Sequence, residues 1–171
     1  MMIPELKTAR LTLRAHEKSD FPTYAAILMS DRAVHIGGPY SEQGAWDDFC
    51  RETASWVLNG YGGFTVVDDT ATIVGFTCLH HERGDPEQEI GWVFTADGEG
   101  HGYAQEAATA VRRYAFDTLG WTTAVSYIDP PNIRSIRLAE RLGATLDPDA
   151  AKPEAYPDCL VYRHSAPEGQ S

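Results

Sequence analysis

Cysteine is scarce in this chain: Cys50, Cys78 and Cys159 are all it has, widely spaced and odd in number. They fit the reduced thiols of a cytoplasmic protein better than a disulfide framework or a zinc site. Long apolar runs are also lacking. None approaches the ~20 residues of a membrane span, and the first residues show no basic-then-apolar leader pattern, so no membrane partner is expected. Positive charge is the third shortage. Fourteen Lys and Arg face 25 Asp and Glu, for a net charge of −11 and a pI of about 4.8. That balance argues against a nucleic-acid groove, which needs a basic stripe. It is more compatible with a cationic or amine ligand. Internal repeats and low-complexity blocks are absent. What remains is a 171-residue chain with 43% hydrophobic and 23% charged residues, enough for one domain with a substantial core. That domain is expected over 1–164, with 165–171 as a polar tail.

Residues 10–14 alternate polar and apolar, as a half-buried strand does. Ser19 and Asp20 offer an N-cap to a short helix over 21–29. Residues 31–40, with Gly37, Gly38 and Pro39, read as a loop. In 41–58, Trp46, Phe49, Cys50, Thr53, Trp56 and Val57 recur at three and four and give one apolar helical face. Strands over 64–67 and 72–79 flank a polar turn and form a hairpin, and a third strand covers 88–94. Residues 103–119 form a helix closed by Gly120. A β-branched strand follows over 122–128, then a helix over 132–142, then a strand over 159–162. The order is β, α, α, β, β, β, α, β, α, β: an α/β (α+β mixed) sheet, mostly antiparallel, with one crossover.

The stretch Glu99-Gly100-His101-Gly102-Tyr103-Ala104 joins the strand at 88–94 to the helix at 103–119. The first turn of a helix has unpaired N–H groups and the positive end of the helix dipole. Glycines let the backbone close on an anion. This is a phosphate cradle, although a turn that merely joins strand to helix is the plainer reading of the motif alone. It is not the dinucleotide-binding G-x-G-x-x-G, because Gln105 stands at the third position, and no P-loop is present.

Four stretches widen the view: Thr8 to Arg14 (TARLTLR), Glu89 to Trp92 (EIGW), Gly100 to Ala107 (GHGYAQEA) and Asn132 to Ala144 (NIRSIRLAERLGA). In this order and spacing the chain resembles the GNAT superfamily of acetyl-CoA-dependent N-acetyltransferases. Within it, the chain is most similar to the RimJ/RimL branch, which acetylates protein N-termini and, in many members, small amines. The resemblance runs over roughly residues 8 to 163. It implies acetyl-CoA as co-substrate, with its pyrophosphate on the N–H groups of Gly100, His101, Gly102, Tyr103 and Ala104. It places pantetheine along Val93, Phe94 and Thr95, where the sheet splays from the strand at 122–128. Asn132 would contact the pantetheine amide or order its turn. Three positions depart from the pattern. Glu99 replaces Gln or Arg and must point away from phosphate or be paired. Ala144 replaces an aromatic. Ala139 replaces the tyrosine acid of many family members.

The implied reaction needs a deprotonated amine, an oxyanion partner and a proton for the departing thiolate. Glu89 is the first candidate base, against an exposed strand-end carboxylate. Glu87 is the reserve, sharing its face by alternation. His80 or His81 must face the same cleft, and a histidine can take a proton from an ammonium. Adjacent strand residues point to opposite faces, so the pair does not readily chelate an ion and no metal is expected. The oxyanion donor is a backbone N–H of Val93 or Phe94. Ser135 is the candidate acid, or a helix-start hydrogen bonder, or both. Cys78 reads as a buried structural thiol. His35, Tyr40, Trp46, Trp56 and Tyr61 could line an acceptor pocket, with core packing the alternative for the tryptophans. Asp47, Asp48 and Glu52 could attract a cation or be a solvated helix face. The function expected is acetyl transfer to a primary amine, of a small molecule or a protein N-terminus. The alternative is a non-catalytic acyl-CoA-binding module. A homodimer is compatible with the family.

Overall fold

The computed structural model describes residues 2–166. One eight-stranded sheet organises it, in the order β1-β2-β3-β4-β5-β6-β8-β7. The strands are β1 (Leu6–Lys7), β2 (Leu11–Arg14), β3 (Gly63–Asp68), β4 (Ile73–His80), β5 (Glu89–Phe94), β6 (Thr123–Ile128), β7 (Thr145–Leu146) and β8 (Leu160–Ser165). All neighbours are antiparallel except β5 and β6. That pair is parallel because a crossover helix joins it.

The helices are α1 (Phe21–Leu28), α2 (Glu42–Asn59), α3 (Tyr103–Arg113) and α4 (Ile133–Arg141). α3 continues as a wider π turn over Tyr114–Thr118. Ser41 caps α2 through a bond from the Gly44 N–H, and Gly60 ends it at φ +80°. Leu11, Leu13, Val66, Leu79 and Ile90 form one sheet face, packed on Ala107, Val111 and Ala115. The alanines of α3 let its backbone approach the sheet closely. Phe76 and Val93 lie in a second cluster with Tyr24, Ile27, Leu28 and Phe49 of α1 and α2.

The mixed sheet and its order match the sequence reading. The two-residue strands β1 and β7 escape it because neither is long enough to show alternation. The loop at 31–40 contains a 3-10 segment, Asp31–Ile36. β8 extends to Ser165, one residue into the stretch expected to be tail; residues 167–171 of that stretch lie outside the described residues.

Candidate active site

The glycine turn is built as a cradle. Gly100 and Gly102 adopt φ +80° and +77°, a region costly for residues with a Cβ. Gly102 is the N-cap of α3. The first bond of the helix runs from the Glu106 N–H to the Gly102 carbonyl, leaving the N–H groups of Tyr103, Ala104 and Gln105 without helical acceptors. The N-terminal stretch clamps this turn. Arg10 donates to the His101 carbonyl at 2.9 Å, lies 4.8 Å over the Tyr103 ring and pairs with Glu106. The Thr8 hydroxyl donates to Glu106 Oε1 at 2.6 Å. Glu99 is paired: Arg134 Nη1 lies 2.6 Å from both its oxygens, and Arg32 is its second partner.

β5 and β6 part after a short stretch of pairing. Their only registered pair among the described residues is Glu89 with Val125. The Val125 N–H donates to the Gln88 carbonyl and the Ser126 hydroxyl to the Ile90 carbonyl. Beyond that point β5 runs on without β6. The phase of its backbone is set by β4. The Thr95 N–H donates to the Val74 carbonyl, and Val93 pairs with Phe76. Alternate residues of an antiparallel ladder turn their polar groups the same way. Residues 93 and 95 therefore face β4, while 88 and 90 face β6 and 92 and 94 face the gap. This corrects two expected pantetheine contacts: the backbone groups of Val93 and Thr95 are committed to the sheet. Phe94 faces the gap as expected, and its carbonyl accepts from Arg32 Nε at 3.0 Å. Trp92, which the sequence reading passed over, faces it too.

Across the gap, Asn132 Oδ1 accepts the Ser135 N–H at 3.2 Å and so caps α4. The Ser135 hydroxyl accepts from the Trp92 indole N–H at 3.2 Å. Ser135 is thus brought to the gap, while the Asn132 side-chain oxygen is taken up by the cap.

On the other side of β5 opens a cavity of about 480 Å³. Glu89 lies in its wall, with Oε1 accepting the Tyr127 N–H at 3.2 Å. Burial pushes its carboxyl up from the ordinary 4.5 to about 7, with the His80 charge and the Tyr127 N–H holding it back. His80 stands opposite Glu89 in the β4–β5 register. Its Nδ1 is 2.6 Å from Glu52 Oε1 and its Nε2 3.4 Å from Glu82 Oε1. Two nitrogens facing two carboxylates both carry hydrogens, so His80 is an imidazolium. Burial alone would lower it, but Glu52 and Glu82 push it up to about 11. This corrects its expected role as a base: it has no lone pair to offer.

The reserve base is corrected as well. β5 begins only at Glu89, so Glu87 does not share its face. Glu87 is held by Arg163 at 2.7 and 2.8 Å, and that guanidinium keeps its carboxyl below the usual range. His81 is exposed, with its ring Nε2 3.1 Å from the Asp85 carbonyl. His35 and Tyr40 line the cavity, as do Asp48 and Glu52. Trp46 instead packs edge-on to Phe21, Trp56 is buried in the core and Tyr61 lies against Trp121. Asp47 is on the solvent side, bonded to Gln43. Tyr24, Tyr127 and Tyr156 complete the aromatic wall; no periodicity marked them for it.

Cys78 also lines the cavity, its thiol raised well above the usual range by burial. A neutral thiol is a poor nucleophile. One ligand atom each of Glu52, Cys78 and His80 lie within 4.8 Å of one another, a closeness that the Glu52–His80 hydrogen bond accounts for. The 3-10 segment straps the cavity on one side: His35 Nδ1 is 2.6 Å from Asp129 Oδ2, beyond β6. Among the described residues no helix is long and apolar enough to cross a membrane.

Comparison with known proteins agrees with this geometry. The acetyltransferase (GNAT) domain profile matches residues 10–145. An acetyltransferase from Agrobacterium tumefaciens is 41% identical, with a TM-score of 0.92 over 97% of this chain and 96% of its own. The uncharacterized N-acetyltransferase YnaD of Bacillus subtilis is 31% identical over 144 residues, 81% of each chain. The ribosomal L7/L12 α-N-protein acetyltransferase RimL shares the fold, with a TM-score of 0.78 at 15% identity over 97% of this chain and 96% of its own. The turn, the parted strands and the half-buried carboxylate thus sit in an acetyltransferase framework: the chain belongs to the GNAT family of acetyl-CoA-dependent acetyltransferases.

Proposed function

We propose that this enzyme acetylates the primary amine of a small molecule, with Glu89 as the base. One observation carries the reading: a half-buried carboxylate, pushed up to about 7, lines an aromatic and acidic cavity beside the gap in the sheet. A base poised near the working pH is suited to taking a proton from an ammonium. The amine freed in this way attacks the thioester carbonyl and forms the C–N bond. The Phe94 N–H, turned to the gap, is placed to steady the oxygen that becomes negative. When the C–S bond breaks, the leaving sulfur needs a proton and the new amide nitrogen must shed its second one, which replaces the proton that the sulfur's donor gives up. The Ser135 hydroxyl accepts from Trp92, and among the described residues nothing accepts its own hydrogen. It is therefore the donor we assign.

The cradle at residues 100–104 would hold the pyrophosphate of acetyl-CoA through its N–H groups, with Arg32 and Arg134 nearby as cations. A small acceptor suits the cavity better than a peptide, because the strap at Asp31–Ile36 crosses one side and is tied to Asp129 and Glu99. Calorimetric titration with acetyl-CoA, with ATP as control, followed by a screen of primary amines, tests the reading. Selective acetyl-CoA binding, turnover of small amines, and loss of that turnover in Glu89→Gln with binding retained would support it. Turnover of peptides alone would sink the small-molecule acceptor, and full activity in Glu89→Gln would sink the base.

A further inference from the structure

The inner end of the cavity holds two hydrogen-bond acceptors and no donor for either. The first is Glu52. Its side chain is only 8% exposed, and Oε1 is bound to His80. Its Oε2 is buried and has no partner among the described residues. A buried carboxylate oxygen left unpaired is costly. The second is His16, whose ring stacks on Phe49 with centroids 4.9 Å apart. Its Nδ1 lies 2.8 Å from the Thr65 hydroxyl oxygen. That hydroxyl gives its hydrogen to Asp20 Oδ2 at 2.7 Å, and Arg14 fixes the Asp20 carboxylate from the other side. Thr65 can therefore only accept from His16, so Nδ1 carries the hydrogen and Nε2 is a bare lone pair. Nε2 too is buried without a partner. The two residues flank Gly63: a Cβ there would stand 2.4 Å from His16 Nε2 and 3.2 Å from Glu52 Cβ. Both residues and Gly63 line the cavity.

We propose that this end of the cavity binds a second ammonium group of the acceptor, so that the substrate is a diamine with its reacting nitrogen at Glu89 and its far nitrogen at Glu52 and His16. An ammonium brings three donors and a positive charge, where a hydroxyl brings one donor and an alkyl end none. A carboxylate would meet two acceptors and be repelled. The surrounding charges favour the same class. Asp48, Glu82 and Asp85 line the cavity with Glu52 and outnumber its two cations: Arg51 is taken by Asp48 and Glu82, and the His80 imidazolium by Glu52 and Glu82. The inference rests on the acetyl-transfer reading above and specifies its acceptor.

The test compares kcat/KM for n-butylamine, putrescine and γ-aminobutyrate at saturating acetyl-CoA. Putrescine should exceed n-butylamine by about 10- to 100-fold, the range of charge-assisted hydrogen bonds, and γ-aminobutyrate should rank last. In Glu52→Gln the putrescine preference should fall to about 3-fold or less. Equal use of putrescine and n-butylamine by the unaltered enzyme would overturn the second ammonium site and leave acetyl transfer standing; a water would then serve Glu52 and His16. This arm decides even where the variant does not fold. An unchanged preference in folded Glu52→Gln would overturn the role of Glu52. No turnover of any amine by enzyme that binds acetyl-CoA would overturn both readings together.

Discussion

Replacing Glu89 by glutamine should slow the enzyme and stabilise it, and the two effects should share one pH dependence. Glu89 is half-buried beside the gap, with one oxygen on the Tyr127 N–H. Its carboxyl is raised from 4.5 to about 7, chiefly by burial. The sign follows from linkage: the folded state prefers the protonated form. The stability contribution is full below the ordinary 4.5 and is lost as pH rises through about 7. The gap between those values corresponds to about 3 kcal/mol. Glutamine carries no charge, and its amide oxygen can still accept from Tyr127. The variant should therefore melt higher than the parent at pH 8 by about 6 to 12 °C, and by much less at pH 5. Activity should move the other way. The parent's kcat/KM should rise tenfold per pH unit up to about 7, where the base ionises. The variant should lose about 10²- to 10⁴-fold and lose that inflection. Calorimetric melts at the two pH values, with pH–rate profiles for one amine, make the check. An equal change in melting temperature at both pH values would refute the buried charge. An inflection near 7 that persists in the variant would assign it to another group.

Three further outcomes follow from the cradle and its surroundings. Glu99→Gln should tighten acetyl-CoA binding several-fold by removing a carboxylate from Arg32 and Arg134, with the gain shrinking at high salt; calorimetry at two ionic strengths reads it, and weaker binding would mean that Glu99 positions the arginines. Gly102→Val should weaken acetyl-CoA binding by at least about 10-fold, because φ +77° is strained for a β-branched residue at a cost of about 1–3 kcal/mol; an unchanged affinity would place the pyrophosphate elsewhere. Glu87→Gln should leave kcat/KM within about 2-fold and lower stability by about 1 kcal/mol, since it breaks a partly exposed bidentate pair with Arg163; a large loss of rate would restore Glu87 to the chemistry.

Much of this fold was legible because its signals are local. Alternation marks β2, a polar turn marks the β3–β4 hairpin, β-branched residues mark β6, and the glycines bracket α3. Ser41 and Gly60 announce the ends of α2. Glu99 was legible by contradiction: a carboxylate where the resemblance implies a phosphate turn demands a partner, and Arg32 and Arg134 supply it from 67 and 35 residues away. The protonation of His80 was not legible, because it depends on Glu52, a helix residue that only the folded chain brings to it. The aromatic wall shows the same limit. Tyr24 and Tyr127 sit on elements whose type was readable, but which of their faces meets the cavity is a tertiary fact.

The four motif stretches were read as separate marks of one family, and the structure joins them physically. Thr8 and Arg10 bind Glu106, and Arg10 also holds the His101 carbonyl, so the first stretch braces the glycine turn of the third. Trp92 of the second donates to Ser135 of the fourth across the gap. Backbone phase then decides which groups can serve an acyl donor. The Thr95–Val74 bond commits odd-numbered residues of β5 to β4 and leaves Trp92 and Phe94 facing outward. A one-residue change of register would have turned Val93 to the gap instead. Which backbone groups of β5 open to the gap is therefore a consequence of how β4 and β5 pair, and the side chains at those positions say nothing about it.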